Sequence, residues 1–104
     1  MTTKQRAFLK GLAMKLDCIL SLGKSSLTPE FTNAVDEALE ARELIKINVL
    51  KNCFDDPRGV AEVLAERTHS EVVQVIGRKI VLFRQKKENS KIELPTERKR
   101  TSEN

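Results

Sequence analysis

The chain has 104 residues, of which 39% are hydrophobic, and its formal net charge is +4. That length suits one domain with a single core, and the charge favours an anionic partner only mildly. With 4 Phe, no Trp and no Tyr, the composition argues against sheets that stack RNA bases on their own strands. The apolar runs are too short to cross a membrane and the first residues lack a signal-peptide pattern, so we expect a cytoplasmic protein.

The charge is divided unevenly along the chain. Residues 1–26 carry five basic and one acidic residue (+4), residues 27–83 carry seven and ten (−3), and residues 84–104 carry seven and four (+3). Such segregation favours a polyanion-facing end, although basic termini can also serve only solubility. The sequence leaves both interpretations open.

The first predicted elements are a helix, a strand and a second helix. Apolar residues at three- and four-residue steps predict a helix over residues 3–16 whose exposed side is basic. The short apolar run 18–22 predicts a buried strand. After a loop, Thr28 and Pro29 are typical of a helix cap and first helical position. The basic residues of the first helix are Lys4, Arg6, Lys10 and Lys15.

The second half of the chain predicts a strand, a helix and a hairpin. Alternating apolar and polar residues over 43–49 indicate a strand. Acidic residues before Pro57 mark the start of a third helix, which ends near His69. Two β-branched runs, 72–76 and 80–83, are separated only by a short connection that begins with glycine, which predicts a tight hairpin.

These elements predict an α/β two-layer sandwich in the order α-β-α-β-α-β-β. Its four-stranded sheet should be largely parallel, because helices connect most of the strands. We expect residues 1–84 to form the domain. Residues 85–104 are charged and polar, and we expect them to be a disordered or loosely attached tail.

Catalysis finds little support in the sequence. His69 is the single histidine, and its place at a predicted helix end favours capping or solvent exposure. Glu37, Glu40 and Glu43 have the spacing of a solvated helix face. The two cysteines match neither metal-binding nor redox spacing, so we expect buried or half-buried free thiols. The sequence therefore predicts no enzyme, no metal site and no cofactor.

The loop Gly23-Lys24-Ser25-Ser26 is the most informative short motif. It follows a predicted strand and precedes a capped helix N-terminus, where unpaired N–H groups and the helix dipole favour a phosphate. Lys24 adds a cation, and its small neighbours let a nucleic-acid backbone approach. An ordinary strand–helix turn is the alternative. Arg78 at the hairpin tip is a second candidate, although such tips are commonly charged for solubility.

Four segments, taken in order, carry a family resemblance. They are Lys4-Gln5-Arg6, Gly23-Lys24-Ser25-Ser26-Leu27-Thr28, Ala38-Leu39-Glu40-Ala41-Arg42-Glu43-Leu44-Ile45-Lys46 and Val75-Ile76-Gly77-Arg78-Lys79-Ile80-Val81-Leu82-Phe83-Arg84. Together they resemble the CRM domain family, named for chloroplast RNA splicing and ribosome maturation, and in particular its stand-alone, YhbY-like bacterial members. The resemblance covers residues from about 3 to 84.

The resemblance implies an RNA-binding module with a fold similar to the C-terminal domain of bacterial translation initiation factor three. In that fold only the last strand is antiparallel to the others. It also implies that the loop works like the GxxG loop of KH domains and clamps nucleic-acid backbone. Ser26 stands where the family has the last glycine. By similarity, the partner is ribosomal RNA in precursors of the large ribosomal subunit, and the role is in ribosome assembly, as a monomer without a membrane.

The expected RNA contact therefore joins the loop to the first helix. An alternative is a protein-interaction adaptor that docks on ribosomal proteins or assembly factors through the acidic second helix (Glu30, Asp36, Glu37 and Glu40). A third possibility is an RNA chaperone that works through the basic tail. The candidate RNA-binding residues are Lys4, Arg6, Lys10, Gly23, Lys24, Ser25, Ser26 and Arg78.

Overall fold

Three helices and one four-stranded sheet make up the computed structural model, which describes residues 1–86, 90 and 92–95. The elements are α1 (Thr3–Ala13), β1 (Leu20–Leu22), α2 (Pro29–Arg42), β2 (Leu44–Val49), α3 (Pro57–Thr68), β3 (Glu71–Ile76) and β4 (Lys79–Phe83). The strand order is β1-β2-β4-β3, with β1 parallel to β2 and β4 antiparallel to both of its neighbours. The predicted α/β class, element order and antiparallel last strand are confirmed.

Alternation along β2 assigns residues to the two faces of the sheet. Ile45, Ile47 and Val49 are buried on the face that α2 and α3 cover. Leu44 is buried on the other face, together with Leu9 of α1. The sheet with α2 and α3 forms the two predicted layers, and α1 adds a helix to the opposite face. The sequence did not indicate this position, because an apolar stripe on a helix fits either side of a sheet.

Side-chain caps fix where the helices begin. Thr28 Oγ1 accepts a hydrogen bond from the Phe31 N–H at 3.1 Å, and Asp56 Oδ2 accepts one from the Gly59 N–H at 3.3 Å. A proline follows each cap, as is favourable at the first helical position. α1 ends at Ala13, three residues before its predicted end, because the backbone bonds that follow are tighter, three-residue turns.

The edge strand β3 contains a β-bulge between Val72 and Gln74. The bulge shifts the alternation, so Val72 and Val75 both pack towards α2 and α3 while Val73 is buried on the α1 side. Arg6 of α1 donates from Nη1 to the carbonyl oxygens of Val72 and Val73, the latter at 3.3 Å. This guanidinium therefore attaches α1 to the bulge.

The carboxylate of Glu43 is buried, with 1% of the residue exposed. It accepts hydrogen bonds from the Lys86 N–H at 2.8 Å and the Ser90 hydroxyl at 2.7 Å. The prediction that Glu43 lies on a solvated helix face is wrong, because this residue caps α2 with a φ of +69° and so leaves the helical spacing of its neighbours.

The segment after β4 contacts the domain where the structure describes it. Ile92 and Leu94 pack against the core cluster on the α1 side of the sheet, and the Gln5 side chain donates to the Pro95 carbonyl at 3.0 Å. The rest of the predicted tail lies outside the described residues. The prediction of a disordered tail therefore stays a prediction there.

The histidine lies at a helix end and the two cysteines are free thiols. The His69 N–H caps α3 by bonding to the Ala65 carbonyl, and the residue is exposed. Cys18 is half-buried and Cys53 is buried, both as free thiols. These expectations are confirmed. Within residues 1–86, 90 and 92–95, no three His, Cys, Asp or Glu side chains are grouped to hold a metal ion, and no helix is long and apolar enough to span a membrane.

Candidate nucleic-acid interface

Three turns meet at one end of the sheet, which we call the loop edge. Leu50 links them, because its N–H donates to the Leu22 carbonyl at 2.8 Å and its carbonyl accepts from Arg78 Nη1 at 3.2 Å. The loop edge also receives the N-termini of α2 and α3. The three turns comprise residues 23–26, 50–56 and 77–78.

Ser26 has a left-handed backbone, with a φ of +58°. This is the region that favours glycine, and Ser26 occupies it at the position where the family pattern has glycine. Its N–H donates to the Gly23 carbonyl at 2.9 Å. Its hydroxyl donates to the Asp55 carboxylate and lies 4.0 Å from Cys53 Sγ. These contacts offset the cost of the left-handed conformation, which is about 1 kcal/mol or more for a residue with a side chain.

Gly23, the first residue of the loop, has room for a side chain. An added Cβ would lie 3.6 Å from both Asn52 Oδ1 and Leu50 Cδ1, which is ordinary van der Waals contact. The packing of the protein therefore does not itself require glycine here. Lys24 and Ser25, the next two residues, are exposed. The turn presents its backbone to solvent with little side-chain bulk around it.

The loop edge carries two acidic side chains and several basic ones. The two carboxylates are bonded to the protein: Asp55 accepts a hydrogen bond from the Ser26 hydroxyl, and Asp56 accepts one from the Gly59 N–H. The dipoles of α2 and α3 add positive potential at the same end. The exposed cations of the three turns are Lys24, Lys51 and Arg78. The sequence did not indicate Lys51 as a candidate. Its turn comes next to the other two turns only when β2 pairs with β1 and β4, and this pairing is not visible in the sequence.

The α1 candidates and the loop-edge candidates lie on different elements of the fold. Arg6 is occupied by two carbonyls of β3, and α1 packs on the face of the sheet opposite to α2 and α3. Lys4 is exposed and Lys10 is half-buried on the same helix. The candidates therefore divide into an α1 group and a loop-edge group of Gly23, Lys24, Ser25, Ser26 and Arg78.

The acidic face of α2 is partly used by the fold. Arg84 Nη1 lies 2.6 Å from Asp36 Oδ1, and Arg84 Nη2 lies 3.4 Å from Glu40 Oε1. The same Nη1 donates to the Thr68 carbonyl at 2.7 Å. Two of the carboxylates that the adaptor hypothesis uses therefore connect α2 with the end of α3.

Phe54 is a loop-edge residue that sequence analysis did not select. It is 92% exposed and lies between Cys53 and Asp55, which both contact Ser26. An aromatic residue in a polar loop is the signal that could have identified it. The scarcity of aromatic residues counts against base stacking on the strands, but it says nothing against a single aromatic ring in a loop.

The sequence model of the CRS1 / YhbY (CRM) domain matches residues 1–84. The chain belongs to the CRM domain family. The resemblance that the four segments indicated is thereby confirmed. The matched range ends just after β4, so it contains all seven elements of the fold.

Two named proteins and one solved structure are similar to this chain over most of its length. "Probable RNA-binding protein YqeI" of Bacillus subtilis is 46% identical over 95 residues, which are 91% of this chain and 99% of that protein. "RNA-binding protein" of Haemophilus influenzae is 36% identical, over 91% of this chain and 95% of its own. The solution structure of SAV1595 from Staphylococcus aureus matches with a TM-score of 0.78 and 48% identity, over 91% and 99% of the two chains.

Proposed function

We propose that this CRM-domain protein binds RNA and that the loop edge holds the RNA backbone. The observation that carries the proposal is the turn of residues 23–26, in which Lys24 and Ser25 are exposed. The turn leads into the N-terminus of α2 at the same end of the sheet as Arg78. Backbone N–H groups, a helix dipole and cations together attract phosphate groups. The printed names of the Bacillus subtilis and Haemophilus influenzae relatives support RNA as the partner.

We further propose that the RNA is ribosomal and belongs to precursors of the large subunit. The protein then assists ribosome assembly in the cytoplasm as a monomer, by binding and without a reaction step. This finer proposal rests on the resemblance to YhbY-like members of the family. Backbone contact dominates, because the strands carry no platform of aromatic side chains.

A filter-binding titration on a transcript of large-subunit ribosomal RNA tests the binding. If the protein neutralises about four phosphates, log K falls with log salt concentration at a slope near −3 to −4. A flat salt response would contradict backbone binding. A transcript of the same length and shuffled sequence is the control that separates a specific site from general RNA affinity.

Sedimentation of a cell lysate tests the ribosomal part of the proposal. We expect the protein in fractions that contain large-subunit precursors, and we expect RNase treatment to release it. Retention after RNase treatment would instead favour the adaptor, which docks on a protein through α2.

A further inference from the structure

Phe54 has an unusual setting at the loop edge. Its side chain is 92% exposed, whereas its neighbour Cys53 is 1% exposed. Cys53 donates its N–H to the Leu50 carbonyl at 3.0 Å, and Asp55 accepts the hydroxyl of Ser26. The Cys53 backbone and the Asp55 side chain are therefore both held by the protein, while the ring of Phe54 between them is left in water.

The two neighbours place the Cα of Phe54 close to residues 23–26, which we call the proposed phosphate loop. Consecutive Cα atoms are about 3.8 Å apart, so Phe54 begins one residue from each of two residues that touch Ser26. Covering a solvent-exposed aromatic ring removes apolar surface from water, which is favourable. A ring on a restrained backbone also loses little conformational entropy on binding. Both properties favour a ligand that covers the ring.

We propose that the ring of Phe54 is a stacking platform for one unpaired RNA base, next to the backbone that residues 23–26 hold. This inference rests on the proposed function. Stacking suits any base, because every base has a π face. Bases within a duplex are already stacked on each other, so the occupant belongs to a single-stranded loop, bulge or end. The protein would thereby prefer RNA with unpaired nucleotides.

Fluorescence of a Phe54→Trp variant tests the contact directly. The chain has no Trp and no Tyr, so the new indole is the single strong fluorophore. We expect a stem-loop RNA with an unpaired loop to quench it and a blunt duplex of the same length to leave it unchanged. Phe8→Trp is the matched control, because Phe8 is also an exposed Phe, at 40%, and belongs to α1 rather than to the three turns of the loop edge. Its fluorescence should change with neither RNA.

Affinity of a Phe54→Leu variant gives the size of the effect. Loss of one stacked base should weaken stem-loop binding about 5- to 150-fold. Duplex affinity and the salt slope should stay as in the wild type, because no charge is removed. The melting temperature should also be unchanged, since an exposed side chain contributes little to folding.

The outcomes separate the two proposals. If the wild type binds with the expected salt slope, but Phe54→Leu binds the stem-loop equally well and Phe54→Trp is not quenched, stacking is overturned and the proposed function stands. If that result comes with loss of the variant from ribosomal fractions, Phe54 contacts a protein instead, and stacking is again overturned. If the wild type binds neither RNA in a salt-dependent way, the proposed function fails.

Discussion

The hydroxyl of Ser26 donates a hydrogen bond to the carboxylate of Asp55, which joins the proposed phosphate loop to the turn between β2 and α3. The contact has two opposite effects. It stabilises Ser26 in its left-handed conformation, with φ at +58°, and it brings a negative charge to the loop that is proposed to bind phosphate.

Asp55→Asn should therefore strengthen RNA binding. Asparagine still accepts the Ser26 hydroxyl, but the charge is gone. A unit charge about 6.5 Å from a phosphate in a water-like dielectric is worth about 0.6 kcal/mol, or about threefold in affinity. A titration at low salt measures this change. Glu66→Gln removes the same charge from the exposed far end of α3, and equal affinities of the two variants would contradict a local effect.

Two substitutions at Ser26 isolate the cost of its backbone conformation. Ser26→Gly and Ser26→Ala both lose the hydroxyl, but only alanine retains the steric cost of a positive φ. We expect the glycine variant to be more stable by about 1 kcal/mol. Urea denaturation compares the two free energies of unfolding. An alanine variant that is equally stable would mean that the left-handed conformation is not kept in solution.

Lys24→Glu should weaken RNA binding without lowering the melting temperature. Lys24 is exposed, so its loss removes a phosphate contact and reduces the magnitude of the salt slope by about 1. Lys10→Glu is the comparison, because Lys10 belongs to the α1 group. A smaller loss is expected for Lys10→Glu. An equal loss would show that RNA also covers α1, and unchanged affinity of Lys24→Glu would remove Lys24 from the site.

Glu43→Ala should destabilise the fold. The substitution leaves the Lys86 N–H without its acceptor, while the Ser90 hydroxyl keeps only the Ile92 carbonyl. An unsatisfied polar group such as this N–H costs about 1–3 kcal/mol. Thermal or urea unfolding measures the loss. Glu37→Ala is the control, because Glu37 lies exposed on the same helix and should change stability by less than about 0.5 kcal/mol. Similar values for both would contradict the buried role of Glu43.

Truncation after Arg84 should separate stability from RNA binding. The shortened chain loses the packing of Ile92 and Leu94 against the α1 side of the core, so its melting temperature should fall. Its affinity for RNA should fall only modestly, because the loop edge is intact. A truncated protein that remains folded but no longer binds would support the chaperone that works through the basic tail.

Local patterns are why so much of the fold was predictable. Thr28 followed by Pro29 marks the start of α2 from two adjacent residues. The alternation of buried and less buried residues in β2 identifies a strand even when the strands that pair with it are unknown. The right-handed rule for helical crossovers then limits the sheet topology. None of these inferences needs a distant residue.

The contacts that the sequence could not indicate join residues far apart in the chain. Arg6 bonds to a carbonyl 66 residues away, Ser26 to a carboxylate 29 residues away and Glu43 to a hydroxyl 47 residues away. In the sequence, a basic residue on a helix such as Arg6, or an acidic residue at a helix end such as Glu43, is expected to face solvent. Only the structure shows the distant group to which each one is bonded. The same reason explains why the loop-edge candidates could be grouped only in the structure.

The bulge in β3 has a consequence for contacts between copies of the chain. An edge strand offers a row of N–H and C=O groups with which a second chain can pair. In β3 the bulge interrupts that row, and Arg6 occupies the carbonyls of Val72 and Val73. The opposite edge, β1, is only 3 residues long. Sheet extension between two molecules is thus disfavoured at both edge strands, and at β3 the guanidinium of Arg6 contributes to this by occupying two backbone acceptors.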